Sequence, residues 1–126
     1  MYPAAQFWGA RHGAELEPLF AQADLFVLPG TGGLAVQQAM SYALLVVFAE
    51  GDGTQDVLVQ AGNGWQVAPG DADALRILLQ HALADAPRLR QMGLESYRIV
   101  SEEINLEAMV RVFSRAVESV SRSCTF

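Results

Sequence analysis

Lysine is absent from this 126-residue chain, so all eight of its cations are arginines. Set against fourteen acidic residues, they leave a net charge of −6. An acidic chain with no basic run is poorly equipped for nucleic acid, because neutralising phosphates supplies most of that affinity. The same shortage argues against electrostatic docking on anionic lipid. Cysteine occurs once, at Cys124, which excludes an intramolecular disulfide and a cysteine-based zinc site and fits a reducing, cytoplasmic setting. The two histidines, His12 and His81, stand too far apart in sequence to suggest a metal site, and no metal or cofactor is expected. No Ser-His-Asp or Cys-His set can be assembled, so no residue is assigned a catalytic role. No apolar run approaches the ~20 residues of a membrane span, and no charged-then-apolar leader opens the chain.

What is present is apolar: 52% of residues are hydrophobic and 9% aromatic, enough for a packed core. Four short apolar segments alternate with helical ones. The spacing predicts strands at Ala5–Trp8, Leu25–Leu28, Leu45–Phe48 and, more weakly, Trp65–Val67. Between them it predicts helices at Glu15–Ala23, Leu34–Ala43 and Thr54–Gln60. Unbroken rather than alternating apolar strands imply burial on both faces, hence a parallel sheet covered by helices. The expected fold is therefore α/β, Rossmann-like, in three layers, with a short sheet of about four strands. After Gly70 only helices follow. Asp71 and Asp85 read as N-caps, with Leu75, Leu78, Leu79 and Ala82 as an apolar stripe and Pro87 in a first turn. A last helix runs from Asn105 to about Ser121, with Leu106, Met109, Phe113, Val117 and Val120 expected to be buried and Glu107–Arg111 to pair on the wet side. Trp8 and Trp65 are expected in the core, His81, Glu102 and Glu103 at the surface. With no repeats or linkers, residues 1–126 read as one domain. Four strands make a narrow sheet with an open apolar edge, which points to an incomplete domain or to a homodimer through that edge.

The most informative stretch is Pro29-Gly30-Thr31-Gly32-Gly33, between a buried strand and a helix. Such a loop lets backbone N–H groups approach a phosphate or carboxylate at a helix N-terminus, at the strand end where open α/β sheets bind ligands. It is equally readable as a tight turn with no ligand, and it fits neither the dinucleotide nor the Walker pattern. A second loop, Glu50 to Asp56, follows the third strand to the same rim. Within it Asp52 or Thr54 reads as an N-cap, while Asp56 reads either as a sugar-hydroxyl ligand or as part of a first helical turn. Arg11 and His12 are the cations expected near that rim. Arg11 reads as a phosphate or base contact, or as a solvated loop residue.

In order, FWG, ELEPLFAQADLFVLPG, PGTGGLAVQQAM, GDGTQDVLVQAGNGWQVAPGDADAL, LADAPRLRQMG and INLEAM resemble the C-terminal domain of group 1 nucleotide-sugar glycosyltransferases of the two-Rossmann-domain (GT-B) type. The resemblance runs from Phe7 to about Val120. It implies transfer of a sugar from a nucleotide diphosphate donor, with retention at the anomeric carbon. It places Gly30, Thr31, Gly32, Gly33 and Leu34 beside the diphosphate and sugar, Gln38 at the donor ribose, Asp56 on the family's acidic position, and Gly9 and Arg11 near the base. The sequence also departs from the pattern. The two glutamates of the family's E-x7-E element fall on Gly30 and Gln38, and its G-x-P on Ala43-Leu44-Leu45. A glutamine keeps a hydrogen bond to ribose but loses its charge-assisted strength. The segments holding the acceptor domain and the diphosphate-neutralising Arg/Lys pair have no counterpart here. Met1, just ahead of the first matching segment, leads to the expectation of a fragment of a longer enzyme, with that N-terminal acceptor domain as its missing partner. The rival expectation is a non-catalytic module that pairs with itself or another chain.

Overall fold

The computed structural model describes residues 4–30, 33–51, 53 and 56–123. Three of the unbroken apolar runs become strands: β1 (Leu25–Leu28), β2 (Leu45–Ala49) and β3 (Gly64–Val67). They pair in parallel in the order β1-β2-β3, with Leu25 opposite Leu45 and Val47 opposite Trp65. β2 is buried at all five positions, since it has a neighbour on each side and helices over each face.

Among the described residues there are also five α-helices: α1 (Glu17–Gln22, after a 3-10 turn at Gly13–Glu15), α2 (Gly33–Ser41), α3 (Ala72–Leu83), α4 (Ala86–Arg98) and α5 (Leu106–Ser123). α4 runs on into a π-helical turn, Ile99–Glu103. The pleat of β2 divides the core in two. Val46 and Phe48 face Val36, Ala39 and Met40 of α2, together with Leu58, Val59 and Ile99. Leu45 and Val47 face Val67, Leu89 and Met92, with Leu75, Leu78 and Trp65 at the margin. The result is the α/β/α layering expected, in a short partial sheet. Full burial of a side chain such as Phe48 contributes about 2–3 kcal/mol.

The caps form as the sequence predicts. Asp71 Oδ1 accepts from the Ala74 amide at 2.9 Å, and Asp85 Oδ1 from the Arg88 amide at 3.1 Å. Each such cap is worth about 1 kcal/mol. α2 ends differently: Ala43 takes a left-handed φ of 58°, and the amides of Ala43 and Leu44 donate to the carbonyls of Met40 and Ala39. This is a Schellman closure with alanine where glycine is the usual residue. Asn63 and Ser96 are fully buried and satisfied. Asn63 Oδ1 accepts from the Gln60 amide at 2.7 Å, and its Nδ2 donates to the Leu58 carbonyl at 3.0 Å and to Ser96 Oγ at 3.3 Å.

Several expectations are corrected. Ala5–Trp8 is not a strand, and the described sheet has three strands rather than four. Phe7 is 84% exposed and Trp8 52%, so Trp8 is no core residue. An apolar run becomes a strand only where a neighbouring ladder accepts it, and none does so here. Residues 56–58 form a turn and 59–60 take no regular structure, in place of the later part of a helix; Thr54 and Gln55 lie outside the described residues. α5 forms but buries none of the five residues expected to be buried, because no core lies beneath its apolar face. The ion pairs of the described residues do not include Glu107–Arg111. No helix among the described residues is long and apolar enough to cross a membrane.

Candidate functional site

Because the three strands are parallel, the chain leaves each of them at one rim, after Leu28, Ala49 and Val67. Ligands of open α/β sheets bind at this carboxyl rim. In the first rim loop Pro29, Gly30 and Gly33 are described, while Thr31 and Gly32 lie outside the described residues. A Cβ on Gly30 would meet nothing within 4 Å, and one on Gly33 would meet only Leu58 Cδ1, at 3.9 Å. Neither residue has a left-handed φ. Among the described residues, packing demands glycine at neither position. Gly33 also opens α2, whose first-turn amides carry partial positive charge.

Gly33 and Leu34 share a cleft of ≈460 Å³ with Gln37, Val57, Leu58 and Ile104. The side chain beside them is thus Gln37, four residues after Gly33 on the same helical face, a spacing that was readable in the sequence. Gln38, the residue singled out there, is half-buried one position on, and its carbonyl accepts from Ser41 Oγ at 2.6 Å.

Asp56, exposed on the second rim loop, is tied across to β3. Its Oδ1 accepts from Gln66 Nε2 at 3.0 Å, and its amide donates to the Gly53 carbonyl at 3.2 Å. Gln66 was missed in the sequence, although a lone amide in an otherwise apolar strand was its signal. Asp52 and Thr54 lie outside the described residues. A third rim loop, Pro69-Gly70-Asp71, closes a second cleft of ≈200 Å³ with Pro29, Ala49, Val67 and Leu75. The rim therefore carries one cleft on the α2 side of the sheet and one on the α3 side.

Gly9 and Arg11 are not drawn into this arrangement. Both are exposed, and Arg11 is engaged locally: its Nε donates to the Trp8 carbonyl at 3.0 Å and its Nη1 lies 3.5 Å from Glu15 Oε1. Among the described residues no hydrogen bond or ion pair links Arg11 to the glycine loop. Neither rim cleft is lined by a cation, whereas Glu50, Asp56 and Asp71 place negative charge on the rim loops. Elsewhere, at the end of α4, Arg98 Nη2 meets Glu95 Oε1 at 2.6 Å, and this hydrogen bond holds the Glu95 carboxyl below its ordinary range. Among the described residues no group of three His, Cys, Asp or Glu side chains is placed to hold a metal ion. The rim can bind an oxygen-rich ligand through backbone N–H groups, carboxamides and one oriented carboxylate.

Residues 1–85 match the family model for glycosyl transferases group 1. The sulfoquinovosyl transferase SQD2 of Arabidopsis thaliana is 36% identical over 87 residues, covering 64% of this chain and 17% of that protein. Among solved structures, the sucrose-phosphate synthase of Thermosynechococcus elongatus superposes with a TM-score of 0.73 at 25% identity, over 86% of this chain and 28% of that one. The chain thus spans less than a third of the length of either relative.

Proposed function

The chain belongs to the group 1 glycosyl transferases, and from that premise we propose that it is the donor-binding part of such an enzyme. The donor is a nucleotide diphosphate sugar. Gly30, Thr31, Gly32, Gly33 and Leu34 present backbone to its diphosphate and sugar, Gln38 meets the ribose, Asp56 takes a sugar hydroxyl, and Gly9 and Arg11 lie toward the base. The acceptor is held by another domain of the enzyme, and the sugar passes to it with retention at the anomeric carbon. In that step the bond from the anomeric carbon to the diphosphate breaks, a bond to the acceptor hydroxyl oxygen forms on the same face, and the hydroxyl's proton passes to the departing diphosphate. The leaving diphosphate needs preorganised positive charge. Among the described residues no cation lines the rim clefts, so that charge is supplied from outside them.

The observation that carries this reading is Gly33: a glycine whose added Cβ would meet only Leu58 Cδ1 among the described residues, at the N-terminus of a rim helix and beside an open cleft. The names of the two relatives add support, one moving a sulfoquinovosyl group and the other making sucrose phosphate. Calorimetric titration with UDP and GDP tests it. One of the two binds; Gly33→Val weakens that binding at least tenfold, about 1.4 kcal/mol, with the melting temperature unchanged; Gln38→Glu leaves it equal or tighter. Binding indifferent to Gly33→Val removes the loop from the site, and no binding of either diphosphate ends the reading.

A further inference from the structure

β3 presents one side chain on the α2 face of the sheet, and that side chain is polar. Gln66 stands opposite Phe48 in the parallel register, and Phe48 packs toward α2. Strand positions two apart share a face, so the other residue of β3 on this side is Gly64, which has no side chain. Trp65 and Val67 turn the opposite way, into the core beneath α4. A strand in a parallel sheet is ordinarily apolar on both faces. Packing therefore accounts for Trp65 and Val67 but not for a half-buried amide at 66. That amide has one recorded use: Gln66 Nε2 donates to Asp56 Oδ1 at 3.0 Å, tying the second rim loop to β3.

What the bond fixes is direction. Asp56 is exposed, and a carboxylate so placed turns about two torsions unless something holds it. Its own amide donates to the Gly53 carbonyl at 3.2 Å, which sets the backbone, and Gln66 engages Oδ1, which sets the side chain. Oδ2 lies beside Gly53, where the backbone is left-handed at φ 86° and an added Cβ would stand 3.6 Å away. Glycine leaves that flank of the oxygen bare. A carboxamide holds a carboxylate without cancelling its charge, and a hydroxyl bonds an ionised carboxylate about twice as strongly as a neutral acceptor. Val57 and Leu58, the next two residues, line the cleft beside Gly33. The oriented carboxylate thus adjoins the side of the rim where the glycine loop lies. A binding group is effective only when a neighbour locks it in place.

We propose that Gln66 is a positioning residue: through its bond to Asp56 it aims the carboxylate at a hydroxyl of the donor sugar. The proposal rests on the donor-binding reading and adds that affinity for the sugar, unlike affinity for the diphosphate, passes through β3. Calorimetry on the 126-residue chain compares UDP with UDP-glucose and GDP with GDP-mannose. Gln66→Leu weakens the sugar nucleotide at least threefold and leaves the bare diphosphate unchanged. Gln66→Asn, whose amide is one methylene short, does the same. Asp56→Ala removes the sugar's share by itself, and Gln66→Leu in that background adds nothing, since the two residues act as one unit. Variants at 66 that weaken both ligands equally assign the amide to loop structure alone and overturn the proposal. So does a sugar nucleotide indifferent to Gln66→Leu, or a further loss in the Asp56→Ala background. Each of those outcomes ends the positioning role while diphosphate binding stands; if neither UDP nor GDP binds, the donor reading fails and this proposal with it.

Discussion

The carbonyl oxygen of Ala43 lies 2.0 Å from where a Cβ on Gly93 would stand. The left-handed turn that closes α2 therefore presses its backbone directly onto α4, and glycine at 93 makes the contact feasible. Gly93→Ala drives a methyl group into that carbonyl. The expected cost is about 2–3 kcal/mol, as for overpacked cores, read as a lower urea midpoint at an unchanged m-value.

Ala43 itself is the opposite case. At φ 58° it holds a conformation that costs an L-residue roughly 1–2 kcal/mol and glycine almost nothing. Ala43→Gly relieves that strain while giving back part of the gain as unfolded-chain entropy. A net stabilisation of about 0.5–1 kcal/mol is expected. Unfolding curves that shift downwards would show that the turn carries no strain.

Removal of the Asn63 side chain strands the buried Leu58 carbonyl and the partly buried Gln60 amide and leaves the fully buried Ser96 with a weakened partner. Asn63→Ala is expected to cost about 3 kcal/mol, since buried groups left unpaired incur their full desolvation penalty. Asn63→Asp should be nearly as damaging, because it replaces a donor with a buried charge. Urea unfolding of both variants at neutral pH provides the check.

Arg98 gathers Glu95, Glu102 and Glu103 at the end of α4, at 2.6, 3.2 and 3.0 Å. The hydrogen bond from Arg98 lowers the Glu95 pKa below its ordinary 4.5, and donating to Glu95, Glu103 and Glu102 raises that of Arg98 beyond its usual range. A carboxyl lowered in the folded state contributes stability above its unfolded pKa and loses it as pH falls through the folded value. The raised guanidinium loses its contribution only in strong alkali. Comparison with Arg98→Met should therefore show a small gap in urea midpoint at pH 7 that closes below pH 4.5. The pair is more than a third exposed, so 1 M salt should close the gap as well. A gap that persists in acid would assign the effect of Arg98 to packing of its stem.

The three strands were legible nearly to the residue, because an unbroken run such as Leu45–Phe48 has no exposed face to confuse its reading. Asp71 and Asp85 were legible as caps because their chemistry is local: side chain and amide are three residues apart. Ala5–Trp8 and α5 were misread for a shared reason. An apolar pattern says which face is available for burial, and whether anything covers it depends on partners elsewhere. The rim was half legible. Parallel topology brought the loops together as expected, but Asp56 is held by Gln66 from β3, and the carboxamide lining the cleft beside Gly33 is Gln37. The left-handed turn at Ala43 had one trace in the sequence, since Ala43 stands where the resembling family carries a glycine.

The burial of β2 at every position sets a hierarchy of opening. Its amides at Val46 and Val47 are shielded by both neighbouring strands and both helical layers, so their hydrogens exchange with solvent only when the whole chain comes apart. The rim loops and α5 have no such cover and open by local fluctuations. Proton exchange should thus sort the molecule into a slow centre at β2 and a fast periphery. A ligand on the rim would slow the loops that touch it and leave both β2 and α5 unchanged.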